Sequence, residues 1–254
     1  MTWLVRAEWL KLRTTRTPFV IAILLAVCVV VPLILVLALV PRHWLESDGI
    51  GALLSTASAV VPLALLVLGI LGMTNEYRHG TITYSYLVTP RRWQVMVVKL
   101  VVYGAVGIAT MLAAVLLVFA VIKAGGALRG VSIDPAAGAT VADYARQIVT
   151  AGLITTFGVA LGALFRLQVV TVAATLIWAL FVENIITVLK PAVGVWLPFN
   201  VFQQVSAVQA SSGDSGISGL AKQLTRPEAF LVSLAYIGAV SLAAVLISLR
   251  RDVT

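Results

Sequence analysis

The sequence has little charge and almost no cysteine. Charged residues make up 11% of its 254 residues, whereas soluble domains carry about 25%. Hydrophobic residues make up 61%, and the mean hydropathy is +1.05. These values exclude a soluble enzyme, a disordered protein and a coiled coil. Cys28 is the single cysteine, which excludes a disulfide framework and a cysteine-based metal cluster.

Six apolar stretches are each long enough to span a bilayer, which takes about 20 residues. They predict an all-α polytopic membrane protein that forms one transmembrane domain over residues 1–254. The predicted spans are residues 19–40, 51–73, 98–122, 147–164, 169–189 and 229–249. The two longest connections, residues 123–146 and 190–228, are rich in Gly, Ser and Ala.

The distribution of basic residues predicts the orientation of the chain. With six spans, both termini lie on one side, which carries 11 of the 18 basic residues and three of the ten acids. The other side holds seven of each and is neutral. The basic side is therefore expected to be cytoplasmic, with both termini inside. The net charge of +8 then reflects topology and contact with anionic membrane lipids rather than nucleic acid.

The first 17 residues predict a helix on the cytoplasmic leaflet with two apolar stripes. A simple interfacial helix has one apolar face, so two stripes indicate that the other side of the helix is also packed. The alternative is a basic topology anchor with tryptophans at the headgroups. The stripes are Trp3, Ala7, Leu10 and Thr14, and Val5, Trp9 and Leu12.

The connection between spans two and three, residues 74–97, is longer than a bare connector needs to be. It opens with the polar cluster Asn75–Arg78, and Gly80 can end the preceding helix in a left-handed conformation. Thr89 and Pro90 match the N-cap and first position of a new helix. The segment thus predicts a short cytoplasmic helix that meets a protein partner. The alternative is a solvated loop held by arginines that face lipid.

In both segments the chain resembles ABC-2 type permeases, especially those of high-GC Gram-positive bacteria. The matching residues are Glu8-Trp9-Leu10-Lys11-Leu12-Arg13, Arg16-Thr17-Pro18, Glu76-Tyr77-Arg78-His79-Gly80-Thr81-Ile82, Pro90-Arg91-Arg92 and Lys99. The resemblance implies an N-terminal elbow helix, a coupling helix that docks on a separate ATP-binding subunit, and an assembly of two permeases with two ATPases in the bacterial plasma membrane. The second permease is a copy of this chain or a similar chain. The residues implied at the ATPase contact are Asn75, Glu76, Tyr77, Arg78, Gly80 and Thr81, and those of the elbow are Trp3, Glu8, Trp9, Lys11, Arg13 and Arg16.

A phosphate-binding loop of the form GxxxxGK[ST] does not occur in the sequence. If the protein drives transport with ATP, another chain must bind the ATP and Mg²⁺, and this chain needs no cofactor and is not an enzyme by itself. Glu76 and Arg78 are candidate ions for the coupling. Residues two apart on a helix do not face each other, so their partners are expected on the ATPase or on the elbow helix.

Glu183 is the only acid within a predicted span, and charges inside a membrane indicate function by default. Together with Asn184, which can form a hydrogen bond between helices, it is a candidate for the translocation path. The alternative is a structural pair of Glu183 with Lys190 or Arg146. Its presence also keeps a second function open, a proton-coupled secondary transporter with Glu183 as the carrier.

Two further patterns bear on the outer half of the protein and on helix packing. Val195, Phe199 and Phe202 predict amphipathic or re-entrant helices in the loop after span five, a region that the resemblance places at an exit gate. Gly158 and Gly162 form a GxxxG motif in span four, which predicts close packing within one subunit. The apolar spans suit an amphipathic or hydrophobic substrate, such as a drug, peptide, lipid or lipid-linked glycan.

Overall fold

The computed structural model describes residues 2–39, 49–81, 92–130, 141–206 and 223–250. The regular structure of these residues is helical, and they include no strand. Six helical stretches are long and apolar enough to cross a membrane, which confirms the predicted all-α class and the six candidate spans. The elbow helix and the side of the membrane on which the termini lie remain predictions.

The helices are numbered here in chain order. They are α1 (Thr2–Thr14), α2 (Arg16–Leu39), α3 (Gly49–Arg78), α4 (Arg92–Arg129), α5 (Val141–Phe165), α6 (Gln168–Ile177), a π-helical segment π1 (Trp178–Val182), α7 (Glu183–Leu189), α8 (Pro191–Gly194), α9 (Pro198–Ser206) and α10 (Arg226–Arg250). Spans one to four are α2 to α5, span five is the continuous run α6–π1–α7, and span six is α10.

Span four, α5, lies at the centre of the bundle and packs against α3, α4, α9 and α10. Its contact with α3 is close because glycines on both helices remove the side chains between them. A Cβ atom added at Gly158 would lie 2.3 Å from the carbonyl oxygen of Leu66, and one at Gly69 would lie 2.1 Å from that of Thr155. The GxxxG motif, with Gly162 against Ile70, therefore packs within the subunit as predicted.

Span one is peripheral and buries a single stripe against α3 and α4. Leu25, Val29, Leu33 and Leu37 are buried, and the intervening apolar side chains are largely exposed. The four-residue spacing places the buried side chains on one face of the helix. The exposed face is the surface that a membrane-spanning helix presents to lipid or to another chain.

The connection between spans two and three is shorter than the sequence predicted. Helix α3 continues to Arg78 and α4 begins at Arg92, so residues 79–91 connect them. Asn75–Arg78 therefore form the last turn of span two and not a separate helix. Gly80 has a φ of +66°, and it ends the helix in the left-handed conformation that was predicted. The proposed second helix start at Thr89 and Pro90 lies outside the described residues.

The connection between spans three and four also proves shorter than expected, because α4 extends to Arg129 and α5 begins at Val141. The predicted helices after span five are confirmed as α8 and α9, in which Phe199 and Phe202 are buried. Residues 207–222 of that loop lie outside the described part of the chain.

Helix α1, the α3 C-terminus and the α5–α6 turn lie at one end of the bundle, called the basic end below.

The helical conformation of α1 is observed, but the predicted stripes do not describe its buried face. Leu4, Glu8 and Leu12 are buried, whereas Trp3 and Trp9 are half exposed. The buried face of α1 has the carboxylate of Glu8 at its centre because Glu8 forms ion pairs with lysines of the bundle. A prediction based on apolar residues alone cannot identify such a face. The position of α1 on a membrane surface remains a prediction.

Candidate functional site

Four charged side chains from three helices meet at the basic end and form what we call the ion-pair cluster: Glu8, Lys11, Glu76 and Lys99. The Lys99 Nζ atom lies 2.8 Å from Glu8 Oε2 and 2.7 Å from Glu76 Oε1. The Lys11 Nζ atom lies 2.8 Å from Glu8 Oε1 and 2.9 Å from Glu76 Oε1. Each lysine thus bridges both carboxylates, and the cluster joins α1 to the ends of spans two and three.

The ion-pair cluster is buried but electrically neutral. The Lys99 side chain has 0% exposed surface, whereas the Lys11 side chain is 43% exposed. Charges that leave water are tolerated when they are paired and hydrogen-bonded, and two ammonium groups here balance two carboxylates. The Lys99 ammonium also lies 5.9 Å from the centre of the Tyr103 ring, whose face attracts a cation.

The cluster shifts the titration of its two groups on α1. Burial raises the pKa of Glu8, but the charges and hydrogen bonds of Lys99 and Lys11 outweigh burial and hold this pKa below its ordinary value. Burial lowers the pKa of Lys11, but its bonds to Glu8 and Glu76 outweigh that effect and raise its pKa. Both groups are therefore held in their charged forms at neutral pH.

Glu76 is the least satisfied member of the ion-pair cluster. Its Oε1 atom accepts hydrogen bonds from both lysines. Its Oε2 atom is buried and has no hydrogen-bond partner among the described residues. A carboxylate oxygen that is buried without a donor is costly, so Glu76 depends on Lys11 and Lys99 for its stability in the folded chain.

The other residues predicted for the coupling contact are spread around the end of α3. The Arg78 side chain is exposed, and its Nη1 atom donates to Gln168 Oε1 at 3.2 Å. Tyr77 points to the α5–α6 turn, where the guanidinium of Arg166 lies 5.3 Å from its ring centre. The carbonyl of Asn75 accepts a bond from a backbone N–H of the helix end.

Past the helix end, Gly80 and Thr81 are exposed. The Thr81 hydroxyl donates to the carbonyl of Glu76 at 3.5 Å, which folds the chain back toward α3. The predicted coupling residues thus divide into a buried member, Glu76, and exposed members that include Arg78, Gly80 and Thr81. The partners of Glu76 and Arg78 were predicted on the ATPase or on the elbow helix. Among the described residues, Lys11 of α1 is such a partner for Glu76, but Lys99 lies on α4 and the Arg78 partner Gln168 lies on α6.

The predicted elbow residues also divide by exposure. Trp3, Trp9 and Arg13 are exposed, and the Arg13 guanidinium lies 5.5 Å from the centre of the Trp9 ring. The side chain of Arg16 lies outside the described part of the structure. Lys99 was missing from the predicted site set, although a lysine inside a long apolar helix is a recognisable signal of a buried partner.

At the opposite end of the bundle, Glu183 is buried and binds three N–H groups. Its Oε1 atom accepts from the Trp178 indole at 3.0 Å and from the backbone N–H of Phe199 at 3.2 Å. Its Oε2 atom accepts from the backbone N–H of Asn200 at 3.1 Å. The predicted pairing with Lys190 or Arg146 is therefore wrong. Arg146 instead binds its neighbour Asp143, one turn away on α5.

The π-helical segment explains how Trp178 reaches Glu183. In a π-helix, backbone hydrogen bonds join residues five apart, and Trp178 and Glu183 are five apart. The widened turn places both side chains on one side of span five, which α-helical spacing does not do for residues five apart. Asn184 instead is exposed, and its Nδ2 atom donates to Leu180 of its own helix at 2.7 Å. The predicted bond from Asn184 to another helix is absent among the described residues.

Helices α8 and α9 fold back into the bundle as a hairpin, defined here as the re-entrant hairpin, residues 191–206. The Tyr236 hydroxyl, near the middle of α10, donates to the carbonyl of Trp196 at 2.8 Å. Phe199 and Phe202 contact Phe157 of α5, with ring centres 5.9 and 5.3 Å apart. The hairpin therefore packs between spans four and six at this end of the bundle.

Side-chain amides hold the re-entrant hairpin in shape. The Asn200 Nδ2 atom donates to Thr187 Oγ1 at 2.8 Å and to the carbonyl of Gly194 at 2.9 Å. The Gln204 Nε2 atom donates to the carbonyl of Val195 at 2.9 Å. A Cβ atom at Gly194 would lie 2.6 Å from Thr187 Oγ1, so a larger residue there would push the hairpin away from span five.

Within the described residues, no group of three or more His, Cys, Asp and Glu side chains is placed to hold a metal ion. No protein-family model matches the chain, and no curated protein matches it at significant similarity.

Proposed function

We propose that this chain is the permease subunit of an ATP-driven ABC exporter of the ABC-2 type, coupled to a separate ATP-binding subunit. The observation that carries the proposal is the ion-pair cluster. It joins α1 to the ends of spans two and three, which are the two helices that the loop 79–91 connects. A force applied to this loop would move both spans and α1 together.

The chemistry of the cluster suits the transmission of such a force. Glu76 closes the last turn of span two and Lys99 lies in the first turns of span three, so their bond at 2.7 Å couples the two helices where the loop leaves them. Packed interiors transmit strain because they contain few voids. With no phosphate-binding loop in the sequence, the nucleotide energy must come from a partner that pushes on this end.

The proposed orientation places the basic end in the cytoplasm, with both termini on the same side of the plasma membrane of a bacterium. The exposed tryptophans and arginines of α1 then meet the headgroups of anionic lipids. The assembly contains two permeases and two ATP-binding subunits, with ATP and Mg²⁺ bound by the latter. It involves no nucleic acid.

The re-entrant hairpin closes the other end and is the proposed exit gate. Its inward surface is aromatic, formed by Phe199 and Phe202 against Phe157, and the Glu183 carboxylate binds the backbone N–H of Phe199. A path between apolar spans and an aromatic gate suits a hydrophobic or amphipathic substrate.

A proton-coupled carrier is not supported by any specific contact. A proton carrier must exchange its proton with water or substrate, whereas the Glu183 carboxylate is buried and accepts three hydrogen bonds from N–H groups. Its geometry is that of a helix-capping carboxylate.

The experiment that tests the proposed function is purification of the chain from its native host in mild detergent, followed by mass spectrometry and an ATPase assay. A stoichiometric ATP-binding subunit, with ATP turnover that requires this chain, is the expected result. A preparation without such a subunit that still transports under a proton gradient in proteoliposomes would overturn the proposal.

Charge reversal of an exposed residue tests the docking surface. Arg78→Glu is expected to reduce stimulation of ATP turnover at least tenfold, because Arg78 is exposed beside the loop 79–91. Lys123→Glu is the matched control, since it makes the same charge change at an exposed position near the far end of α4. Equal effects of the two variants would contradict docking at the basic end.

A further inference from the structure

We propose that Glu183 is the positioning residue that latches the re-entrant hairpin closed, so that the hairpin opens locally when the Glu183 carboxylate loses its charge or its partners. The role of the hairpin as an exit gate rests on the proposed function. The latch itself rests only on the contacts between span five and α9.

Glu183 accounts for the free backbone donors of α9. The first N–H groups of a helix have no partner within the helix. Pro198, the first residue of α9, has no N–H, and Phe199 and Asn200 donate to the two oxygens of Glu183. The N–H of Val201 donates to Leu197 at 2.9 Å. The carboxylate of Glu183, on another helix, therefore accepts hydrogen bonds from the two backbone N–H groups at the start of α9 that have no partner in the neighbouring chain.

A charged group is suited to this task in an apolar interior. The N-terminal end of a helix carries partial positive charge, which attracts a carboxylate, and hydrogen bonds to ionised groups are about twice as strong as neutral ones. Glu183 is 1% exposed. If α9 moved away, its two N–H groups would lose their acceptor and the carboxylate would keep only the Trp178 indole as a donor, so the two bonds to Phe199 and Asn200 hold the hairpin shut.

Span five is built to hold the carboxylate in this position. The π-helical turn brings the Trp178 indole to Glu183 Oε1 at 3.0 Å, which leaves Oε2 directed to Asn200. π-Helical turns are rare and occur frequently at functional sites. The remaining bonds of the hairpin, such as those of Asn200, Gln204 and Tyr236, join neutral groups, so Glu183 supplies the one charged attachment among its described contacts.

The test compares Glu183→Gln with Asn184→Ala by hydrogen–deuterium exchange and mass spectrometry on the full chain in lipid nanodiscs. Gln keeps the size of the side chain but removes its charge. Asn184 is the adjacent residue, is exposed, and bonds only within its own helix in the described structure, which makes it a matched control. We expect exchange of the backbone amides of α9 to rise at least tenfold in Glu183→Gln and to stay unchanged in Asn184→Ala.

A second reporter uses thiol accessibility. In a Cys28→Ser background, Val201→Cys places a thiol at a position of α9 that is 0% exposed. Adding Glu183→Gln is expected to increase its rate of modification by a charged methanethiosulfonate at least tenfold, whereas adding Asn184→Ala leaves the rate as it is. The exchange measurement needs no cysteine, so it decides the matter if the Val201→Cys protein does not fold.

Two outcomes would overturn the latch. One is equal exchange of α9 in the two variants. The other is an equal rise in α5 and α9 in Glu183→Gln, because a general loss of stability would show that Glu183 is a structural residue without a gating role. The measurement uses no nucleotide and no partner subunit, so its failure is separate from a failure to find an ATP-binding subunit.

Discussion

Replacing Lys99 by methionine tests whether the ion-pair cluster holds α1 against spans two and three. Methionine has a similar length but carries no charge, so the change removes both ion pairs at 2.8 and 2.7 Å without leaving a large cavity. Glu8 and Glu76 would then share Lys11 alone, and the buried cluster would carry a net negative charge.

The expected magnitude follows from burial. Removing one partner of a buried ion pair costs about 3–5 kcal/mol, and the Lys99 side chain is fully buried. Besides the cluster, the buried side chains among those described in α1 are Leu4 and Leu12, and each contributes about 1.5–3 kcal/mol when buried. Loss of the Lys99 pairs is therefore comparable to all of the apolar docking energy of α1, and α1 should detach far more often.

Hydrogen–deuterium exchange of the α1 amides measures this detachment. A loss of about 3–5 kcal/mol raises the opening equilibrium constant by on the order of a hundredfold or more. Lys11→Met is the comparison variant, because it leaves the same net charge on the cluster but removes a side chain that is 43% exposed, where water can replace part of the lost bonds, so its effect should be smaller. The double variant Lys99→Met/Glu8→Met removes one charge of each sign and should recover part of the protection. A change in α1 exchange that is no larger in Lys99→Met than in Lys11→Met would contradict the role of Lys99 in holding α1.

Three further predictions concern pH, packing and the hairpin. Because the pKa of Glu8 is lowered and that of Lys11 is raised in the folded chain, their contribution is complete between pH 4.5 and 10.5, the ordinary values. It is lost as the pH falls below 4.5 through the lowered pKa of Glu8 or rises above 10.5 through the raised pKa of Lys11. Protection of the α1 amides, corrected for the intrinsic pH dependence of exchange, should therefore be constant between these values and fall beyond each of them, and a loss of protection that begins inside the range would contradict the shifts. Gly69→Ala should lower thermal stability by about 1–3 kcal/mol or more through overpacking, since the new Cβ would meet the Thr155 carbonyl, whereas Gly238→Ala, with nothing within 4 Å, should be neutral or stabilising in the same detergent. Trp178→Phe removes one of three donors to Glu183, so α9 amides should exchange faster than in the wild type and more slowly than in Glu183→Gln; a rate equal to the wild type would remove Trp178 from the latch.

Part of the candidate site was predictable because local chemistry specifies it. Gly80 ends span two in the left-handed conformation, which follows from the freedom of glycine at positive φ. Glu76 was predicted as an ion with a partner on the ATPase or on the N-terminal helix, and Lys11 of α1 is one of its two partners. The length of span two was not predictable in the same way. Because Asn75–Arg78 are polar, the sequence predicted that span two ends before them. In the structure Glu76 forms ion pairs with α1 and α4, and these pairs allow the helix to continue to Arg78.

The partners of Glu183 could not be predicted from spacing. Lys190 and Arg146 were the nearest opposite charges by sequence, whereas the observed donors are an indole five residues earlier and two backbone N–H groups sixteen and seventeen residues later. Backbone donors are identical in every residue except proline. Which of them become free depends on where a helix begins and what it packs against.

By itself the sequence determined that the chain is a helical membrane protein with six spans. A long apolar run in a bilayer must satisfy its backbone hydrogen bonds within itself, and it does so as an α-helix. It also indicated close helix contact at Gly158 and Gly162, since glycine has no side chain to separate two helices, whereas the contact at Gly69 was not predicted. The tertiary structure alone decided that Lys99 joins Glu8 and Glu76, and that Glu183 binds the start of α9. Both are contacts between residues far apart in the chain, and their energy depends on burial and geometry, which arise only when the helices pack.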